Sequence, residues 1–302
     1  MSKIAIAVHG GAGPGSVLLR KNKKSYEDGL ALATEEGYRI LKKGGSALDA
    51  VEVAVKCLEN NALFNAGKGS TLNCLGEVEM DAAIMNGKNR KAGAVSMVRN
   101  VKNPIELARI VMQKTNHVFL SGYGALAVAK KEGVALESES YFITEYELAL
   151  YKALHKKESL ETILKKKMLG TVGAVALDKR GNLAAGTSTG GTSNCLPGRI
   201  GDSCVIGAGC YANNATCALS GTGEGETLIT GVIGNTVSLM MELKNLSIQE
   251  ACDYVVHTRN KKYKGHIGVI AVNGQGEFGM AYNTAIMKRA WKSSDEALQV
   301  KI

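Results

Sequence analysis

The chain begins with IAIAV (4–8), a short run of small apolar residues of the kind a strand buried on both faces carries. HGGAGPG (9–15) follows it and reads as a glycine turn. Over 25–43, Leu30, Thr34, Gly37, Tyr38 and Leu41 recur at helical spacing, and Gly44-Gly45 supplies a stop. Ser46, with Asp49 three residues on, predicts the cap of a second helix whose apolar face is Ala50, Val51, Ala54, Val55 and Leu58. Two strands are expected within 76–87 and 92–98, and Pro104 starts a helix that runs through Gln113. Residues 145–168 read as one or two exposed helices rich in Lys and Glu, a mobile lead-in to Thr171.

After residue 170 the period shortens. TVGAVALD (171–178), NLAAGTST (182–189), CVIGAG (204–209), HIGVIAV (266–272) and GEFGMAY (276–282) read as strands joined by short turns. Between them, 226–243 and 247–258 have helical periodicity. Two groups of strands with helices between and around them predict an α/β chain in which two sheets lie between helical layers.

A length of 302 residues would allow two domains, but with only three prolines and no Ser/Pro/Gln-rich linker we expect a single domain over 1–302. The 36 glycines cluster beside Thr, Ser and Asn, a pattern of tight turns and close backbone approach to a ligand. No apolar stretch reaches the length of a membrane span, and MSKIAIAVHGG lacks a secretory pattern. The seven cysteines form no CxxC pair and the five histidines no HExxH, which argues against a zinc site or a disulfide framework. An odd cysteine count fits the reducing cytosol, so a cytoplasmic protein is expected. The net charge of +9 is scattered over 20–24, 152–167 and 259–264 with no recognition module beside it. Solvated lysine faces explain it better than nucleic acid.

The candidate chemistry centres on Thr171. A threonine hydroxyl inside a chain is inert, but cutting the Gly170-Thr171 bond would free an α-amine able to act as base for its own side chain. Around it stand HGGAG (9–13), FNAGKGS (64–70), TSTGG (187–191), GRIGDS (198–203) and GTGEGE (221–226). In that order and over most of the chain, these motifs resemble the plant-type (type III) L-asparaginase and isoaspartyl-peptidase family of N-terminal-nucleophile hydrolases.

The resemblance implies a four-layer αββα sandwich, self-cleavage into 1–170 and 171–302, and release of aspartate from L-asparagine and β-aspartyl dipeptides. It implies Thr171 as nucleophile, Thr189 as its hydrogen-bonding partner, and Asn65 as the group that orients the freed amine. Thr222 and the Gly223 N–H become the oxyanion hole. Arg199 and Asp202 would hold the substrate's α-carboxylate and α-amine, a match of guanidinium fork to carboxylate and of carboxylate to ammonium. Gly225 would contact the substrate end of the pocket. No cofactor is required, but a structural Na+ or K+ could sit on main-chain carbonyls at Leu58, Glu59, Asn61, Phe64, Ala66 and Lys68. The assembly expected is a homodimer of cut units. Lys68, Asn86, the SNC run at 193–195 and Cys204 depart from the family pattern and bear on fine specificity.

Other readings stay open on the sequence alone. GTSTG (186–190) matches a nucleophile elbow and would make Ser188 the nucleophile, although a glycine and proline loop follows it where a helix is required. GQGEFG (274–279) matches a dinucleotide fingerprint but lies between two strands, as a hairpin turn would. HGGAGPG could hold phosphate on backbone amides, but Ser16 stands where the third glycine would be; His9 reads as structural. A glycosylasparaginase shares fold and nucleophile but has an aspartate before the threonine, where this chain has Gly170. A non-catalytic binding protein that retains the fold would neither cut itself nor turn over amide.

Overall fold

The computed structural model describes residues 3–155 and 170–302; the part of the expected helical lead-in that falls on 156–168 lies outside the described residues. Strand β1 (Ala5–Gly13) is followed by helices α1 (Val17–Lys21), α2 (Lys23–Lys42) and α3 (Ala47–Glu59). Next come β2 (Met80–Asn86), β3 (Ala92–Val98), α4 (Pro104–Lys114), β4 (Phe119–Ser121) and helices α5 (Gly122–Lys131), α6 (Glu139–Phe142) and α7 (Glu145–His155). The second half holds β5 (Val172–Leu177), β6 (Leu183–Thr189), β7 (Cys210–Ala212), β8 (Cys217–Gly223), α8 (Gly225–Gly231), α9 (Ile233–Lys244) and α10 (Ile248–Asp253). Strands β9 (Ile267–Asn273), β10 (Phe278–Tyr282), β11 (Ile286–Ser293) and β12 (Gln299–Lys301) complete it.

The strands form two sheets, one in the order β12-β11-β1-β5-β6-β2-β3-β4 and one in the order β10-β9-β8-β7. Neighbours are antiparallel except β3 and β4. The period-2 alternation of the central strands divides their side chains between two buried faces. Ile6, Val8, Ala174, Ala176 and Ala184 pack with Leu30, Ala50, Val51 and Ala54 of α2 and α3. Ala5, Ala7, Val175, Leu177 and Ala185 pack instead with Ala212, Ala218, Ile270 and Val272 of the smaller sheet. On its outer face that sheet carries Leu219, Val269 and Ala271, covered by Val237, Ile248 and Ala251 of α9 and α10. The result is the four-layer αββα sandwich.

Local signals explain the element ends. The Ser46 hydroxyl accepts from the Asp49 N–H while the Asp49 carboxylate accepts from the Ser46 N–H, so the capping box expected for α3 forms. Pro104 opens α4 at a position whose N–H the helix would have left unpaired, so the donor that proline lacks is not missed. GQGEFG is the β9–β10 hairpin.

Several stretches differ from the sequence reading. The strand expected over CVIGAG (204–209) is instead the end of a 3-10 turn (Asp202–Cys204) and a glycine turn that lead into β7 at Cys210, and β8, which carries Thr222 and Gly223, was not among the expected strands. The expected turn at 9–13 is the second half of β1, kept in the sheet by a register shift between His9 and Ala12. The helix expected over 226–243 breaks at Val232, which adopts a left-handed conformation (φ 47°) and divides α8 from α9. Strands β11 and β12 escaped notice because IMKRAWKS mixes charges into its alternation; Lys292 and Lys301 lie over the rings of Tyr38 and Trp291, which shelter their stems. No helix among the described residues is long and apolar enough to cross a membrane.

Candidate active site

Thr171 stands at the head of β5, only 4 % exposed. The carbonyl of the preceding residue, Gly170, accepts two hydrogen bonds, from Asn65 Nδ2 at 2.8 Å and from Thr189 Oγ1 at 3.1 Å. Both donors are held. Asn65 Nδ2 also donates to the Gly191 carbonyl at 2.7 Å, and its Oδ1 accepts from the Thr71 N–H at 2.9 Å, which fixes the amide's orientation. Thr189 ends β6, and its hydroxyl accepts from the Gly191 N–H at 3.1 Å. Two strands and the loop after α3 therefore converge on one peptide carbonyl.

The bulged end of β1 packs against the same peptide. A Cβ at Gly11 (φ +99°) would lie 3.2 Å from both Gly170 Cα and Thr171 N, so a side chain there would press on the Gly170-Thr171 bond from a conformation that L residues rarely adopt. The next residue, Ala12, donates its N–H to Thr222 Oγ1 at 3.2 Å. Across the sheets, a Cβ at Gly173 would fall 2.0 Å from Ser220 Oγ, so residues 173 and 220 face one another. Two residues along each strand, Thr171 and Thr222 share those faces. Gly223 closes β8 at φ +126°, where a Cβ would fall 2.2 Å from the His266 carbonyl, and the chain enters α8 at Gly225. GTGEGE is thus both a strand end and a helix start.

Gly225 is the wall behind the charged pair. A Cβ there would lie 2.7 Å from Arg199 Nη2 and 3.1 Å from Asp202 Oδ1. Arg199 pairs with Glu226, its Nε and Nη2 both reaching Oε1, at 3.2 and 3.1 Å. It opens on a surface cavity of ≈ 370 Å³ that Thr192, Asn194 and Glu226 also line. Asp202 is buried, its Oδ2 without a hydrogen-bond partner, and burial pushes its carboxyl up to about 7 against the pull of Arg199. Asp81, which the sequence reading passed over, lies close enough that its carboxylate helps raise Asp202; Asp81 is itself pushed up to about 6, mainly by burial, with Glu79 adding to it and Arg199 opposing. Its two oxygens accept the N–H groups of Met97 and Gly201, both at 3.1 Å, and so pin the Arg199–Asp202 loop to β2.

Two buried polar groups support the site from behind. His9 is structural, as expected: its Nε2 lies 2.9 Å from Ser220 Oγ, Ser220 lies 2.7 Å from Thr187 Oγ1, and Thr187 donates to the Gly209 carbonyl at 2.9 Å. Burial pulls the imidazole down to about 3, so it is neutral at pH 7. Ser188 points to the opposite face of β6 and donates to Glu59 Oε1 at 2.7 Å, while Glu59 also accepts from the Ile105 N–H and from Asn103 Nδ2, each at 3.0 Å. A fully buried hydroxyl within a strand, committed to a carboxylate, is no nucleophile elbow. Burial pushes Glu59 up to about 7. An acid among the apolar residues of α3, opposite a strand serine, is the signal that could have exposed this contact.

The carbonyls expected to hold a monovalent cation lie at the end of α3 and in the loop after it. The carbonyls of Leu58, Asn61, Phe64 and Ala66 each accept a single backbone N–H, at 3.1, 3.1, 2.9 and 3.4 Å, and keep a second lone pair. The Glu59 carbonyl turns inward so far that a Cβ at Gly67 would lie 2.3 Å from it. The Lys68 side chain leaves the loop and lies 5.3 Å from the Tyr141 ring.

A family model described as asparaginase matches residues 2–302. The chain belongs to this family. Its N-terminal-nucleophile amidohydrolase class agrees with the αββα layers and with a threonine at the head of a central strand. The chain is 42% identical over 299 residues to the isoaspartyl peptidase of Salmonella typhimurium, with 96% of each chain covered. It is 45% identical over 288 residues to the isoaspartyl peptidase/L-asparaginase of Mus musculus, covering 94% of this chain and 86% of that protein. A probable isoaspartyl peptidase/L-asparaginase of Arabidopsis thaliana is 39% identical over 322 residues, with 99% and 98% covered.

Proposed function

We infer that this asparaginase-family chain is a β-aspartyl amidohydrolase that cuts itself between Gly170 and Thr171 and then uses Thr171 to hydrolyse L-asparagine and β-aspartyl dipeptides. The observation that carries the reading is the pair of donors, Asn65 Nδ2 and Thr189 Oγ1, on the Gly170 carbonyl. Attack by the Thr171 hydroxyl on that carbon would build negative charge on that oxygen, where two aimed donors stabilise it. The acyl group passes from nitrogen to oxygen, water opens the ester, and the α-amine of Thr171 is released.

With a reference pKa near 8, the amine is partly neutral at physiological pH and takes the hydroxyl proton. Thr171 Oγ attacks the substrate's β-carbonyl, with Thr222 and the Gly223 N–H as oxyanion donors. Arg199 and Asp202, backed by Gly225, hold the α-carboxylate and α-ammonium, and the Glu226 carboxylate yields the guanidinium to the substrate. The amine then protonates the leaving nitrogen and later activates the water that frees aspartate from Thr171.

The carbonyls of the 58–68 loop suit a structural Na+ or K+, and the reaction needs no redox cofactor. The chain acts as one domain over 1–302, cut into 1–170 and 171–302, on small-molecule substrates in the cytoplasm without nucleic acid or membrane. Two cut units pair as a homodimer; edge strand β4, with Phe119 and nearby Tyr123 exposed, supports such a contact.

Hydrolysis of L-asparagine and β-aspartyl-leucine by wild type, Thr171→Ala and Thr171→Ser tests the reading. Wild type should release aspartate from both, Thr171→Ala from neither, and Thr171→Ser at a changed rate. An active Thr171→Ala would exclude it.

A further inference from the structure

Strands β1 and β11 fall out of step beside Thr171. His9 pairs with Arg289 and Ala12 with Met287, so β1 has one residue more than β11 over that interval, and Gly10 and Gly11 together oppose Lys288. On its other side Gly11 touches Gly170 and Thr171. Lys288 therefore stands one bulge away from the Gly170-Thr171 bond. It lines a cavity of ≈ 90 Å³ together with Gly170, Gly10, Asn65, Ser16 and Tyr26, its Nζ 5.6 Å from the centre of the Tyr26 ring.

Among the described residues this ammonium has no counter-ion. Burial pulls Lys288 down to about 8, and no carboxylate among the described residues offsets it. Glu147 lines the same cavity, but burial alone pushes it up to about 7, and Lys288 does not pull it down. A half-buried cation that lines a cavity beside the Gly170-Thr171 bond is suited to an anionic ligand group.

The reaction indicates which group that is. The leaving nitrogen takes its proton from the Thr171 α-ammonium, so it must come within hydrogen-bond reach of that amine. In the uncut chain the same nitrogen is bonded to Gly170, and Gly170 lines the Lys288 cavity. The leaving group thus extends toward Lys288. Asparagine releases ammonia, which has nothing to offer a cation. A β-aspartyl dipeptide releases an amino acid whose α-carboxylate is two bonds from the leaving nitrogen.

We propose that Lys288 is a specificity residue whose ammonium receives the free α-carboxylate of the amino acid released from β-aspartyl dipeptides, favouring them over asparagine. The proposal rests on the reading of Thr171 as nucleophile. Bond changes are those already described: Thr171 Oγ to the acyl carbon forms, the acyl carbon to nitrogen bond breaks, and the α-ammonium proton goes to the departing amine.

The test compares L-asparagine, β-aspartyl-alanine and β-aspartyl-alaninamide on wild type, Lys288→Met and Lys288→Arg, with rates expressed per chain bearing a Thr171 terminus as counted by mass spectrometry. Wild type should prefer the free acid to the amide. Lys288→Met should lower kcat/KM for the acid relative to asparagine and to the amide by about 10- to 100-fold, the range for a lost charged hydrogen bond, and Lys288→Arg should restore most of the ratio. If acid and amide are equal on wild type, or fall together in Lys288→Met, the proposal is overturned while the Thr171 reading stands. In that case the partner of Lys288 is another anion, the Gly170 carboxylate formed by cleavage being the nearest. Wild type inert on all three substrates would overturn both.

Discussion

The side-chain amide of Asn65 donates to the Gly170 carbonyl at 2.8 Å, and that carbonyl belongs to the peptide bond preceding Thr171. The same amide is anchored to Gly191 and Thr71, so its position is fixed before any reaction begins. Preorganised donors of this kind act where charge develops, so the proposed self-cleavage should depend on Asn65.

Asn65→Ala should slow the appearance of Thr171-terminated chain by about 10²- to 10³-fold, the usual cost of one oxyanion donor. Thr189→Val, which keeps the shape and loses the hydroxyl, should slow it too. Densitometry of the two fragments over time reads both effects, and cleavage at the wild-type rate in either variant would remove that donor from the reaction.

Arg199→Ala should raise KM for asparagine and β-aspartyl-leucine by about 10- to 100-fold, as expected for a bidentate charged contact. Self-cleavage should change little, because Arg199 bonds to Glu226 and not to the Gly170 junction. Gly225→Ala should give a smaller rise, since its Cβ would meet the mobile end of the Arg199 side chain at 2.7 Å and displace it. Steady-state kinetics on both substrates separate these outcomes.

The pH profile should divide between binding and turnover. Burial pushes Asp202 up to about 7, so in the empty site its carboxyl becomes neutral as pH falls through 7 and loses the substrate's ammonium. KM should therefore rise below pH 7, by about tenfold per unit once the group is mostly protonated. The Thr171 amine must be neutral to act as base, so kcat should fall with acidification from a higher value, near the reference of about 8. Asp202→Asn should remove the acid-limb change in KM and leave that in kcat. A KM that stays flat from pH 8 to 5.5 in wild type would contradict the role given to Asp202.

Dialysis against EDTA should leave activity intact. Among the described residues no three His, Cys, Asp or Glu side chains gather to hold a metal ion. Exchange of Na+ for K+ can still shift the rate through the carbonyls of the 58–68 loop. Loss of activity on chelation, restored by Zn²⁺, would displace Thr171 from the centre of the mechanism.

What could be read in the sequence was local. Ser46 and Asp49 lie three apart and make their capping box within one turn; Pro104 starts α4 by its own geometry; the glycine motifs carry the family resemblance in a few residues each. What escaped depends on distant partners. An acid among the apolar residues of α3 hints that Glu59 is buried, but its partners are distant: it accepts a hydroxyl from Ser188, 129 positions away, and caps α4 through Ile105. Asp81 lies in an apolar strand and gains its meaning from the Gly201 N–H. The second half of β1 looked like a turn because a bulge of two glycines follows no hydrophobic period, yet that bulge brings Gly11 to the Thr171 peptide. Lys288 was one basic residue among many until the bulge of β1 was set against it.

The most direct test of the account is the intact mass of the purified wild-type protein followed during incubation, with N-terminal sequencing of the products. The account predicts conversion of the full chain into fragments 1–170 and 171–302 that remain associated, the second beginning at Thr171, with amidase activity rising in proportion. Full activity from a chain with no Thr171 terminus would contradict it, because an amide nitrogen cannot serve as the base.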